Sequence, residues 1–276
     1  MLDKYKRAVV RKPEKLVVEG ETGAGKTTFA CSSHTAKEPA FVINADDGGE
    51  NVFHKTGINF IHDCIPTGDV KENAEKWDGV MEALRALATE KSGVKRVIID
   101  SVDKLEILAQ AKVCSLHKLA SIEDMGYGKG YIYSRGEMAK LLSGLNYLRD
   151  TQAIQPILVC HTQIRTINKP TMEPYDSFIL KLHKSLAADV MEWADVILFV
   201  AFETIVKKID SGFNRKDSRA IQSGNRFLYT SGSMGVDAKN RFDLPAEIPA
   251  DWNEYRKLID GFWDGNKANS DTQKKG

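Results

Sequence analysis

Gly20-Glu21-Thr22-Gly23-Ala24-Gly25-Lys26-Thr27 is the stretch from which the rest of the chain can be read. It satisfies the phosphate-loop pattern G-x-x-x-x-G-K-[ST] at every fixed position. The glycines let backbone N–H groups turn toward phosphate oxygens, Lys26 reaches for the β- and γ-phosphates, and the Thr27 hydroxyl suits a magnesium ion. Such a loop works between a strand and a helix. The apolar run Leu16-Val17-Val18 leads into Gly20, and a helix can begin at Thr27, adding the positive end of its dipole. Gly20, Glu21, Thr22, Gly23, Ala24, Gly25, Lys26, Thr27 and Thr28 are therefore the expected nucleotide-binding residues.

Outward from this loop, short apolar runs alternate with helical periodicity. Ala40-Phe41-Val42-Ile43 and Val97-Ile98-Ile99 read as strands buried on both faces of a parallel sheet. Residues 72–90 carry apolar side chains at helical spacing, as do residues 104–119 and 134–149. Pro156-Ile157-Leu158-Val159-Cys160 is a fourth strand, followed by a polar loop to about residue 184, a short helix over 186–193 and the strand Val196-Ile197-Leu198-Phe199-Val200. Shorter alternating strands near residues 203–209, 219–222 and 226–229 suggest antiparallel hairpins at a sheet edge. The pattern predicts an α/β fold: a mostly parallel sheet flanked by helices, with right-handed crossovers and antiparallel edge strands.

The chain has 276 residues, which at roughly 150 per domain is one large domain with appendages. One α/β domain is expected over residues 14–260, with an N-terminal extension at 1–13 and a flexible, polar C-terminal tail at 261–276. Hydrophobic residues make up 42% and charged residues 28%, excluding a disordered or fibrous chain. No run approaches a membrane span and the first residues lack the apolar stretch of a secretory signal, so the expected location is the cytoplasm, without membrane contact. With 39 basic and 38 acidic residues the net charge is +1, so any nucleic-acid binding must be local. Cys31, Cys64, Cys114 and Cys160 are too widely spaced for a zinc site or redox pair and read as buried thiols.

Acids at strand ends complete the expected chemistry. Asp100 closes Val97-Ile98-Ile99 and is suited to hold hydrated magnesium together with Thr27. Asp46 and Asp47 follow another strand, where a carboxylate can orient and deprotonate the attacking water; Asp46 is preferred, although Asp-Asp-Gly-Gly is also good turn chemistry. His161 and Gln163 end the fourth strand, where Gln163 is placed to sense the γ-phosphate, or both are satisfied by backbone groups.

This order of motifs resembles the RecA-like P-loop NTPase core, and in particular the phage-encoded RecA-like ATPases associated with single-strand annealing and recombination. The resemblance covers roughly residues 14–258. Val97-Ile98-Ile99-Asp100-Ser101 is similar to that family's second nucleotide motif, and Asp46 falls where the family carries a catalytic glutamate, one methylene longer. It implies Mg2+-dependent ATP hydrolysis stimulated by single-stranded DNA, a ring or filament of identical subunits, a single-strand-binding or annealing partner, and a host cytoplasm as the setting. Tyr127, Lys129 and Tyr131, with Arg165 and Lys169, occupy the positions of its two DNA-contacting loops, with chemistry suited to stacking and phosphate contact. Lys239 and Arg241 are similar in position to paired basic residues that reach a neighbouring subunit's ATP. A P-loop kinase of a small molecule or nucleotide, and a helicase-type motor or loader, share the phosphate loop and stand as alternatives.

Overall fold

Strands that are apolar at every position must be covered on both faces, and the computed structural model shows both layers. It describes residues 10–210, 216–233 and 235–273. The strands are β1 (Leu16–Gly20), β2 (Ala40–Asn44), β3 (Phe60–Asp63), β4 (Arg96–Asp100), β5 (Gln155–Ile167), β6 (Tyr175–Leu180), β7 (Val196–Asp210), β8 (Lys216–Tyr229) and β9 (Glu247–Pro249). The helices are α1 (Lys26–Cys31), α2 (Glu50–Thr56), α3 (Val70–Thr89), α4 (Val102–His117), α5 (Lys129–Gln152), α6 (Lys184–Trp193) and α7 (Trp252–Gln273), with a 3-10 turn at Ile122–Met125.

The strand order is β3-β2-β4-β5-β1-β7-β8-β9, with β6 paired to β5. From β3 to β7 all neighbours are parallel, whereas β7-β8-β9 and β5-β6 are antiparallel. Alternation along each strand sorts side chains between two cores. Val17, Ile43, Ile99, Leu158 and Ile197 meet Trp77, Leu105, Met138, Leu145 and Val190 from α3 to α6. Val18, Val42, Ile98, Val159 and Leu198 meet Phe29, Phe53, Trp252, Tyr255 and Ile259 from α1, α2 and α7. The expected class, a P-loop NTPase α/β core with antiparallel edge strands, is the fold observed. The four cysteines are free and buried in it.

Several boundaries differ from the sequence reading. The polar stretch after Cys160 is no loop at its start: β5 runs on to Ile167 and pairs with β6, from Thr162 opposite Leu180 to Ile167 opposite Tyr175. Thr162, Ile164, Thr166 and Ile167 supply the β-branched residues that favour this ribbon despite their polar neighbours. The glycine-rich segment at 126–131 is only partly a loop, because α5 begins at Lys129. The short edge strands merge into the long β7–β8 hairpin, with a register shift between Phe202 and Thr204. β3, a short and half-exposed strand, carried no clear sequence signal. The expected domain end at residue 260 falls inside α7, where Phe262 and Trp263 still pack against Phe242. Of the N-terminal extension, Arg11 and Lys12 pair with Asp260 and Asp150; residues 1–9 lie outside the described residues. No helix among the described residues is long and apolar enough to cross a membrane.

Candidate active site

Parallel strands deliver their C-terminal ends to one edge, and register decides which residues meet there. Gly20 at the end of β1 lies opposite His161 on β5 and Val200 on β7. Asp100 ends β4 opposite Asn44 of β2. Its carbonyl accepts from the N–H groups of Ala45 and Asp46, at 2.6 and 3.1 Å, tying the two acidic strand ends together.

The phosphate loop turns from β1 into α1, with Phe29 N–H donating to the Gly25 carbonyl at 2.9 Å. Two of its glycines are required by geometry. A Cβ on Gly20 would come within 2.5 Å of the Val200 carbonyl oxygen, and Gly25 has φ of +103°. Lys26 is buried, and its Nζ donates to the carbonyls of Gly20 and Glu21 at 2.9 and 2.8 Å. Burial lowers its ammonium pKa, against the raising effect of the Asp100 charge. Asp100 is pushed up by burial, pulled down by a hydrogen bond from Thr27 and pushed up again by the charge of Asp46. A buried carboxylate already joined to a hydroxyl is a fitting donor pair for a small hard cation.

Between these groups lies a cavity of about 280 Å³ lined by Thr22, Gly23, Gly25, Lys26, Thr27, Thr28, Asp46, Asp47, Asp100, His161 and Arg226. Of the other expected loop residues, Glu21 is exposed, whereas Gly20 and Ala24 are buried beneath the loop. Asp46 is half-buried and Asp47 exposed. The His161 ring stands between two acids: Nε2 is 3.6 Å from Asp46 and Nδ1 is 3.2 Å from Asp103. Asp103 also accepts from the His161 backbone N–H at 3.0 Å. Burial raises the Asp103 carboxyl, but the hydrogen bonds from His161 outweigh it and hold the pKa below the ordinary value. Asp103 thus anchors the ring at Nδ1 and leaves Nε2 facing Asp46.

Sequence reasoning did not single out Asp103 or Arg226. Asp103 comes three residues after Asp100, in the first turn of α4, a spacing that could have flagged it. Arg226 belongs to an edge hairpin and carried no signal. Beneath the loop, Glu19 is fully buried with neither carboxylate oxygen bonded, and burial followed by the Asp237 charge pushes its pKa well up.

Other expected residues lie elsewhere. Gln163 is exposed on the β5–β6 ribbon and does not line the cavity. Arg165 and Lys169 are exposed, with Lys169 over the Tyr175 ring at 5.5 Å. Tyr127 is fully exposed, and Lys129 begins α5. Tyr131 instead stacks on His183, with ring centroids 4.5 Å apart, and its hydroxyl donates to Glu123, so one ring face is already covered. Lys239 and Arg241 sit toward the opposite edge, where strands begin. Lys239 pairs with Ile197 through the backbone and donates from Nζ to the carbonyls of Met191 and Ala194, at 2.8 and 2.7 Å. Arg241 donates to Asp195 at 2.9 Å. Neither reaches the phosphate loop of its own subunit.

Residues 12–242 match the family model described as an AAA domain. Among curated proteins, none matches the chain.

Proposed function

We propose that this chain, which belongs to the AAA-domain family of nucleotide-binding, ATPase-type proteins, hydrolyses ATP with Mg2+ and couples hydrolysis to binding of single-stranded DNA in recombination or strand annealing. One observation carries the ATPase reading: Lys26, Thr27, Asp100, Asp46 and His161 share one cavity. Lys26 exchanges two loop carbonyls for phosphate oxygens. Thr27 and Asp100 would hold Mg2+, which supplies charge neutralisation on the phosphates. Asp46 takes the proton of the attacking water, and His161, set by Asp103, positions Asp46.

For DNA coupling, the supporting observation is continuity. β5 carries His161 beside the acids and then extends outward as the ribbon bearing Gln163, Ile164 and Arg165, with Ile164 exposed. A shift of His161 upon phosphate binding would move that ribbon directly. Tyr127 at the second segment is free to stack on an unpaired base. Assembly into a ring or filament places subunits side by side along the strand, with a single-strand-binding or annealing protein as the partner.

The test is phosphate release by wild type and Lys26→Ala with no DNA, with single-stranded DNA and with duplex DNA, alongside a screen of small phosphoryl acceptors. Wild type should hydrolyse ATP faster with single-stranded DNA, and the variant should be inactive. Transfer to an acceptor without water hydrolysis would make the protein a kinase instead.

A further inference from the structure

Past Gly25 the phosphate cavity continues into a second depression of about 290 Å³. The two share Gly25, Thr28 and Arg226. The far wall comes from Phe29 and Ser32 of α1 and from residues 250–253 at the junction of β9 and α7.

That wall is braced from several sides. The Phe29 and Trp252 rings lie 5.5 Å apart, and the Arg96 guanidinium sits 5.2 Å over Trp252. Ala250 N–H donates to the Arg226 carbonyl at 2.9 Å, so the α7 junction and Arg226 are held together. Arg226 is itself positioned twice. Its guanidinium lies over the Phe202 ring, 4.7 Å from the centroid, and its Cδ and Nε lie 2.9 Å from where a Cβ on Gly25 would be. One face of the planar cation is thus backed by an aromatic ring while the side chain lies across the last glycine of the loop.

A phosphate chain seated on Lys26 and Thr27 and leaving past Thr28 would carry its sugar and base toward this second depression. We infer that the depression is the base subsite, in which a purine stacks on the Arg226 guanidinium opposite Phe202. The inference rests on the nucleotide reading of the phosphate loop. A planar guanidinium stacks on base faces, and the two-ring purine offers it more surface than a pyrimidine. The Thr28 hydroxyl and the Asn253 amide supply polar groups at the rim.

The experiment compares binding of Mg-ATP, Mg-CTP and magnesium tripolyphosphate to the full chain by titration calorimetry, for wild type, Arg226→Ala and Arg226→Lys. Tripolyphosphate has the phosphates without a base. Wild type should bind ATP more tightly than CTP or tripolyphosphate. Arg226→Ala should lose roughly 5- to 150-fold in ATP affinity, narrow the gap between ATP and CTP, and lose clearly less affinity for tripolyphosphate than for ATP. Arg226→Lys keeps the charge but not the plane, so it should resemble the alanine variant. Equal losses for ATP and tripolyphosphate, restored by lysine, would make Arg226 a phosphate cation and overturn the inference, as would an alanine variant indistinguishable from wild type. Failure of wild type to bind either ATP or tripolyphosphate would instead overturn the nucleotide reading itself.

Discussion

Replacing Asp103 by asparagine should slow ATP hydrolysis while leaving ATP affinity in place. Asp103 is 7% exposed and makes two kinds of contact with His161: it accepts from the backbone N–H at 3.0 Å, and its two oxygens lie 3.3 and 3.2 Å from ring Nδ1. Asparagine preserves the shape and keeps one oxygen for the backbone N–H. It offers an NH2 group where the second oxygen stood, so the ring loses its charged partner and with it the contact that fixes its orientation toward Asp46. The loss is one hydrogen bond to a charged group, about 1.5–3 kcal/mol. If the ring's orientation matters to the hydrolytic transition state, the rate falls roughly 10- to 150-fold. The folded state loses a similar amount, and for a chain of this size each kcal/mol lowers the melting temperature by about 2–4 °C. Single-turnover hydrolysis at saturating ATP, with affinity measured by displacement of a fluorescent analogue, separates the two effects. A lowered melting temperature with an unchanged single-turnover rate would refute the role given to His161 and return Asp103 to a purely structural one.

Gly20→Ala should destabilise by about 1–3 kcal/mol in urea unfolding, because the added Cβ meets the Val200 carbonyl at 2.5 Å and overpacks the β1–β7 pair; a change within about 0.5 kcal/mol would contradict that packing. Glu19→Gln should remove a pH dependence. Burial holds the Glu19 pKa well above the ordinary 4.5, so its contribution to stability is complete below that value and is lost as pH rises toward the folded pKa. The variant's advantage over wild type should therefore grow above that pH by up to about 1.4 kcal/mol per pH unit, and a constant difference across the range would show that Glu19 is ionised. Lys239→Ala should cost about 1–3 kcal/mol by uncapping α6, and turnover per folded molecule separates its two roles: unchanged turnover would leave it a cap alone, whereas lost turnover would assign it to a neighbouring subunit's site.

The phosphate loop was legible because its chemistry is local. Backbone N–H groups, a lysine and a hydroxyl must follow one another within a single turn, so their spacing is written in adjacent residues. The strands around it were legible for a related reason, since Val97-Ile98-Ile99 and Leu158-Val159 are apolar at successive positions and must be covered on both faces. Polar ribbon positions were harder, because the pairing of Gln163 with Ile179 is a property of two segments and of neither alone.

By itself, then, the sequence determined the α/β class, the nucleotide end of the site and the strand-ending acids Asp46 and Asp100, each set by residues close together in the chain. Only the tertiary structure decided what stands between them. β5 is inserted between β1 and β4, so the order of strands in the sheet differs from their order in the chain, and parallel register brings His161 level with Gly20. That insertion places an imidazole between Asp46 and Asp103, while the β7–β8 hairpin returns Arg226 from the far end of the chain to Gly25. Lys239 and Arg241 show the same dependence: backbone pairing of Lys239 with Ile197 holds them near the starts of the strands, a place that their position in the motif order did not reveal. Contacts across more than a hundred residues depend on which strands become neighbours, and that is a global minimum of packing that no local spacing encodes.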